Sequence, residues 1–140
     1  MTACVFCQIV RKDAPALIVR ETETAIAFLP IWMEIHGHTL VSPKAHFADL
    51  YDITPAALAD VSNLARELAV DFSERIGATG ANLMLASGKD GEQSDFYFHF
   101  HLLPRFRDDG LKTWPPLPPF KGDREAIHQT LIGQATQTSA

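Results

Sequence analysis

The chain has 140 residues, 46% hydrophobic and 21% charged, and its 12 Lys plus Arg against 17 Asp plus Glu give a net charge of −5. That length suits one domain with a sizeable core, and the composition is that of a globular protein. The acidic balance argues against duplex nucleic acid, which needs a basic face, but leaves room for a small phosphorylated ligand held by backbone amides.

No run of about 18 apolar residues occurs, so no membrane span is expected. "MTACVFCQIVRKD" lacks a basic segment followed by a long apolar one, so no signal peptide is expected and a cytoplasmic location is the default. The only cysteines, Cys4 and Cys7, are spaced C-x-x-C. That spacing points to a metal or redox role rather than a disulfide scaffold.

In chain order, "CQIVRKD" predicts a short helix. Leu17–Arg20 and Thr24–Leu29 read as two strands joined by a polar turn. "HTLVSPK" reads as a third, ended by Pro43. The clearest helix follows: Thr54 suits its N-cap and Pro55 its first position. Leu58, Val61, Leu64, Leu68, Phe72 and Ile76 make one apolar stripe along it, and Gly77 suits its stop. Ala81–Ala86 reads as a fourth strand, "SGKDGEQ" as a polar loop, and "SDFYFHFHLLP" as a fifth strand. "TWPPLPPFKGD" is an extended surface segment, "DREAIHQTLIG" a last helix and "QATQTSA" a loose tail. Strands with one long helix inserted predict an α+β fold: a five-stranded antiparallel sheet with the helix on one face.

In an unbroken fifth strand, alternation puts Phe96, Phe98, Phe100 and Leu102 on one face, packing under the long helix, and Asp95, Tyr97, His99, His101 and Leu103 on the other. His99 and His101 then stand side by side, with Cα atoms about 6.6 Å apart. One reading makes them metal ligands, with Asp95 and Glu92 as further candidates. The other is nucleophilic catalysis, an imidazole attacking phosphorus while its neighbour holds or protonates phosphoryl oxygens. Loop amides, Gln93 and Ser94 would then stabilise negative charge. This second chemistry requires no cofactor.

"YFHFHLL" (Tyr97–Leu103) resembles the histidine triad (HIT) signature, in which three histidines alternate with apolar residues. "GKDGEQS" resembles the family's Gly-rich loop, and "FCQIV", "AIAFLP", "GHTLVSPKAHFADL" and "LLPRF" follow in family order. The resemblance runs from Cys4 to Phe106. It implies a HIT-like domain over residues 3–110, a Pro-rich extension over 111–140 and a homodimer. It also implies hydrolysis or transfer on nucleoside phosphoramidates, dinucleoside polyphosphates or related nucleotides. His99 matches the nucleophile, His101 the phosphate-contacting histidine, and Gln93 and Ser94 phosphate-binding positions.

Four positions depart from the pattern. Tyr97 replaces the first histidine, where a phenol could still support the substrate site by donating a hydrogen bond. Pro30 stands where an acid would serve the ribose, Ala86 where an Asn is common, and Glu92 where a Gly precedes Gln93. The resemblance also matches Cys4, Cys7 and His46 to three ligands of a structural zinc site whose fourth is now Tyr97, a poor zinc ligand. Ordinary reduced thiols are the competing reading. His38 is expected inside the fold, His36 receives no role, and His128 is read as a surface residue. Trp114 either shapes a pocket across a dimer or anchors a surface tail. The two competing functions are a non-catalytic nucleotide-binding module and a metalloprotein.

Overall fold

Continuous apolar runs make β2 (Ala25–Leu29) and β3 (Thr39–Pro43) the buried centre of a sheet. β1 (Leu17–Glu21), β4 (Gly80–Met84) and β5 (Phe100–Arg105) complete it, all pairs antiparallel, in the order β1-β2-β3-β5-β4. The two edge strands are largely exposed. The computed structural model describes residues 4–138, with side chains through residue 133.

Residues opposite one another across an antiparallel pair share a face. Ala27 faces Val41, which faces Phe100, and Thr39 faces Leu102. This face takes the long helix α2 (Pro55–Arg75). Thr54 Oγ1 accepts from the Ala57 N–H at 3.2 Å, capping the first turn, and Gly77 follows the last turn at φ +73°. α2 buries Val61, Leu64, Ala65 and Leu68 against Ala25, Ala27, Val41, Phe98 and Leu102. The small alanines of β2 let the helix lie close.

On the other face Phe28 opposes Leu40, which opposes His101. Here the short helix α1 (Val5–Val10) brings Phe6 and Ile9 onto Ile26, Phe28, Leu40 and Tyr97. The apolar stripes had assigned a cover to only one face; α1 supplies a second. Glu21 clamps its exit, pairing with Lys12 after the helix and Lys44 after β3, each at 2.8 Å.

The fifth strand begins later than expected, at Phe100 rather than Ser94. Continuing the β3–β5 register would place Ser42 against His99 and Pro43 against Phe98. Pro43 has no N–H to give a ladder, so the chain leaves the sheet. The Phe98 N–H donates to Phe47 O at 2.7 Å instead. Phe96 lies ahead of the strand and is 52% exposed rather than packed under the helix. β4 likewise stops at Met84, short of Ala86.

The chain divides into two compact units, the first ending at Gly110 and the second beginning at Leu111. In the second, Asp123 Oδ1 accepts from the Glu125 and Ala126 N–H groups and opens α3 (Arg124–Thr138). The helix runs through most of the segment expected as a tail; Ser139 and Ala140 lie outside the described residues.

Gly37 turns the chain into β3 at φ +84°, and a Cβ there would meet Pro104 Cγ at 2.9 Å and Ile76 Cδ1 at 3.0 Å. Gly37→Ala is expected to cost about 1–3 kcal/mol through strain and overpacking. Gly77→Ala, with nothing within 4 Å, carries only the left-handed backbone penalty of about 1–2 kcal/mol. Urea denaturation of the two variants measures the difference.

Candidate active site

Three imidazoles gather on the α1 face. His101 stands in β5 opposite Leu40, and His38 precedes β3 by one residue on the same side as Leu40. His38 Nε2 lies 3.0 Å from His101 Nδ1. His99, two residues before His101, has its ring centroid 4.9 Å from that of His101.

Hydrogen-bond partners fix the tautomers. The Glu34 N–H donates to His38 Nδ1 at 3.2 Å, so the hydrogen of neutral His38 sits on Nε2 and is donated to His101 Nδ1. Neutral His101 then carries its own hydrogen on Nε2. His99 Nδ1 lies 2.7 Å from the carbonyl oxygen of Tyr97. A carbonyl only accepts, so Nδ1 is the protonated nitrogen and neutral His99 keeps a lone pair on Nε2.

Burial keeps the pair behind His99 uncharged. It lowers the His101 pKa to about 4, with the nearby His99 and His38 charges adding to the effect. Burial also lowers His38, against the raising influence of Glu34. Phe6 stacks on His99 with centroids 5.0 Å apart and lies as close to Tyr97.

The remaining expected site residues divide sharply. Ser94 is exposed, with Oγ 3.5 Å from Asp95 Oδ2. Gln93 was expected to meet phosphate, yet it is buried and its amide is consumed internally. Its Oε1 accepts from the Gly88 N–H at 2.8 Å, and its Nε2 donates to Ala48 O at 2.6 Å and Asp95 O at 3.0 Å. It holds the loop closed, and this loop is what it can offer a ligand. Tyr97, expected at the substrate, is 1% exposed, and its hydroxyl lies 2.7 Å from Pro43 O and 2.8 Å from Lys44 O. Burial raises its pKa, as do the Cys7 and Cys4 thiols, so the phenol remains a donor beneath the site.

Among the described residues, metal-type donors gather in threes only at Cys4, Cys7 and His46, whose ligand atoms lie within 4.8 Å of one another. Asp95 and Glu92 do not join His99 and His101 in such a group. Burial and the Cys4 hydrogen bond push the Cys7 thiol upward. Phe6 and the contact of His38 with His101 escaped the sequence reading, although His38 is buried as expected. Phe6 carried no signal beyond an apolar residue in a short helix. His38 did: "IHGHTL" and the strand order together place it beside His101.

A family model described as HIT domain matches residues 11–108. The chain belongs to the HIT domain family. An adenosine 5′-monophosphoramidase from Schizosaccharomyces pombe is 32% identical over 118 residues, covering 83% of this chain and 86% of the relative. The crystal structure of a HIT family protein from Bacillus anthracis superposes with a TM-score of 0.84 at 29% identity, covering 96% of each chain. A zinc-bound histidine triad family protein from Mycobacterium smegmatis superposes at 0.76 with 34% identity, covering 98% of this chain and 96% of that one. The HIT sheet therefore carries the site of this chain, and among its described residues no helix is long and apolar enough to cross a membrane.

His101 titrates at about 4 in the fold against an ordinary 6.5. A group held neutral this way contributes stability that is complete above 6.5 and is lost as the pH falls toward 4, because the unfolded chain binds the proton first. Urea unfolding at stepped pH should show stability declining across that window, and His101→Gln should flatten the decline.

Proposed function

We propose that this HIT-domain chain is a hydrolase or transferase of nucleoside phosphoramidates or related nucleotides, working through a covalent intermediate on His99. The observation that carries this reading is the Tyr97 carbonyl on His99 Nδ1. It commits the proton to one nitrogen and leaves Nε2 as the nucleophile, with the orienting partner of an activated nucleophile already in place.

In the first step Nε2 bonds to phosphorus as the bond from phosphorus to the leaving amine or phosphate breaks, an amine departing with a proton taken from solvent. The ring, still protonated on Nδ1, becomes positively charged, and the Tyr97 carbonyl dipole stabilises that charge. A neutral His101 adds no like charge beside it and offers Nε2–H to a phosphoryl oxygen. Water then bonds to phosphorus through its oxygen, the N–P electron pair returns to Nε2 and restores the imidazole, and the proton lost by the water passes to solvent. Exposed Ser94 and the loop closed by Gln93 receive the phosphate. The phosphoramidase activity named for the Schizosaccharomyces pombe relative supports the substrate class.

A second reading, a binding module without turnover, is favoured by Pro30, whose side chain has no polar atom to offer a ribose. The two separate on incubation with adenosine 5′-phosphoramidate. Turnover is expected, with a nucleotidyl mass adduct on the native protein under rapid quench. His99→Ala should lose at least about a thousandfold in kcat. Thermal stabilisation by the nucleotide without turnover would establish the binding module instead.

We also propose that the working unit is a homodimer. Among the described residues β4 is the last strand of the sheet on its side and leaves Leu83 48% and Met84 41% exposed, and natural proteins seldom leave such an edge strand uncovered. Sedimentation velocity should return twice the chain mass of 15.5 kDa, and Leu83→Lys should shift it toward the monomer.

A further inference from the structure

We propose that Cys4, Cys7 and His46 hold one zinc ion through three protein ligands only, and that its fourth coordination position is open to an exchangeable ligand. This inference is independent of the chemistry assigned to His99.

The three donors are already gathered from segments far apart in the chain. Cys7 Sγ lies 3.1 Å from His46 Nδ1, and all three ligand atoms lie within 4.8 Å of one another. Tetrahedral zinc with bonds of about 2.0–2.3 Å sets its donors about 3.5–3.8 Å apart, inside that range. His46 Nε2 lies 3.0 Å from Phe96 O. A carbonyl accepts, so Nε2 carries the hydrogen and Nδ1 presents a lone pair to the thiols. That is the outer hydrogen bond by which ligating histidines are oriented. Cys4 is placed by the fold, as the N-cap of α1, with its Sγ accepting the Cys7 N–H at 3.4 Å. Two sulfurs and one nitrogen, with no carboxylate, select zinc over magnesium or calcium.

A closed structural site needs a fourth donor, and the side chain beside the cluster withholds one. The Tyr97 ring lies 4.6 Å from that of His46, centroid to centroid. Its hydroxyl, however, is spent on the Pro43 and Lys44 carbonyls. Tyr97 therefore serves as a wall of the cluster and not as a ligand. His46 itself is exposed, so solvent reaches the remaining position.

Cobalt(II) titration of the reduced, chelator-treated full-length protein tests this by absorption. One equivalent should develop a thiolate-to-cobalt band and tetrahedral d–d bands, and added imidazole should shift the d–d bands by entering the open position. Tyr97→Phe should leave the spectrum unchanged. Tyr97→His should tighten metal binding by at least about tenfold and abolish the response to imidazole. A chain that develops no thiolate–cobalt band overturns the site. A wild-type spectrum indifferent to imidazole, or one altered in Tyr97→Phe, overturns the open position. The imidazole and Tyr97→Phe measurements decide the matter even should Tyr97→His fail to fold.

Discussion

The missing N–H of Pro43 organises the site. A strand partner needs a donor at every second residue, and β3 runs out of donors where β5 would otherwise continue toward Ser94. The chain there has to satisfy its polar groups by other means. Phe98 reaches Phe47, the Tyr97 hydroxyl reaches back to two carbonyls at the end of β3, and the Tyr97 carbonyl meets the His99 ring. An unbroken ladder would have claimed main-chain groups that the site uses.

The electrostatics follow from the same arrangement. Acid–base sites commonly orient an imidazole with a carboxylate, which also raises its basicity. Here the orienting groups are a main-chain carbonyl for His99 and a main-chain N–H for His38. Neither carries a charge, so burial dominates, and His101 and His38 are pushed toward their neutral forms. The result is a pair of rings, His38 and His101, held toward their neutral forms with defined hydrogens, so that no standing positive charge lies on them beside His99.

Much of this was legible in the chain. The Leu58-to-Ile76 periodicity, with Thr54, Pro55 and Gly77 at its ends, is local information, and α2 forms where it says. The strands and their antiparallel pairing follow from equally local apolar runs and turns. The "YFHFHLL" alternation correctly put His99 and His101 on one side, away from α2. What alternation could not convey is where a ladder stops, because that depends on which residue lies opposite, and Pro43 is 57 positions from Phe100 in the numbering. The internal partners of Gln93 and Tyr97 were illegible for a related reason. Residue type shows that a side chain can bond a ligand, but not that three main-chain groups, or two carbonyls, have already claimed it. Phe6 was invisible because a six-residue helix has too few turns to display a face.

Phe6 has one further consequence. Its ring lies flat against both Tyr97 and His99, and it sits in the helix that Cys4 caps. One benzene ring thus touches both the His99 imidazole and the phenol that lies against His46. Because that ring belongs to α1, the packing of His99 and that of Tyr97 both depend on where the short helix sits. A side chain with no polar atom is the common wall of both groups.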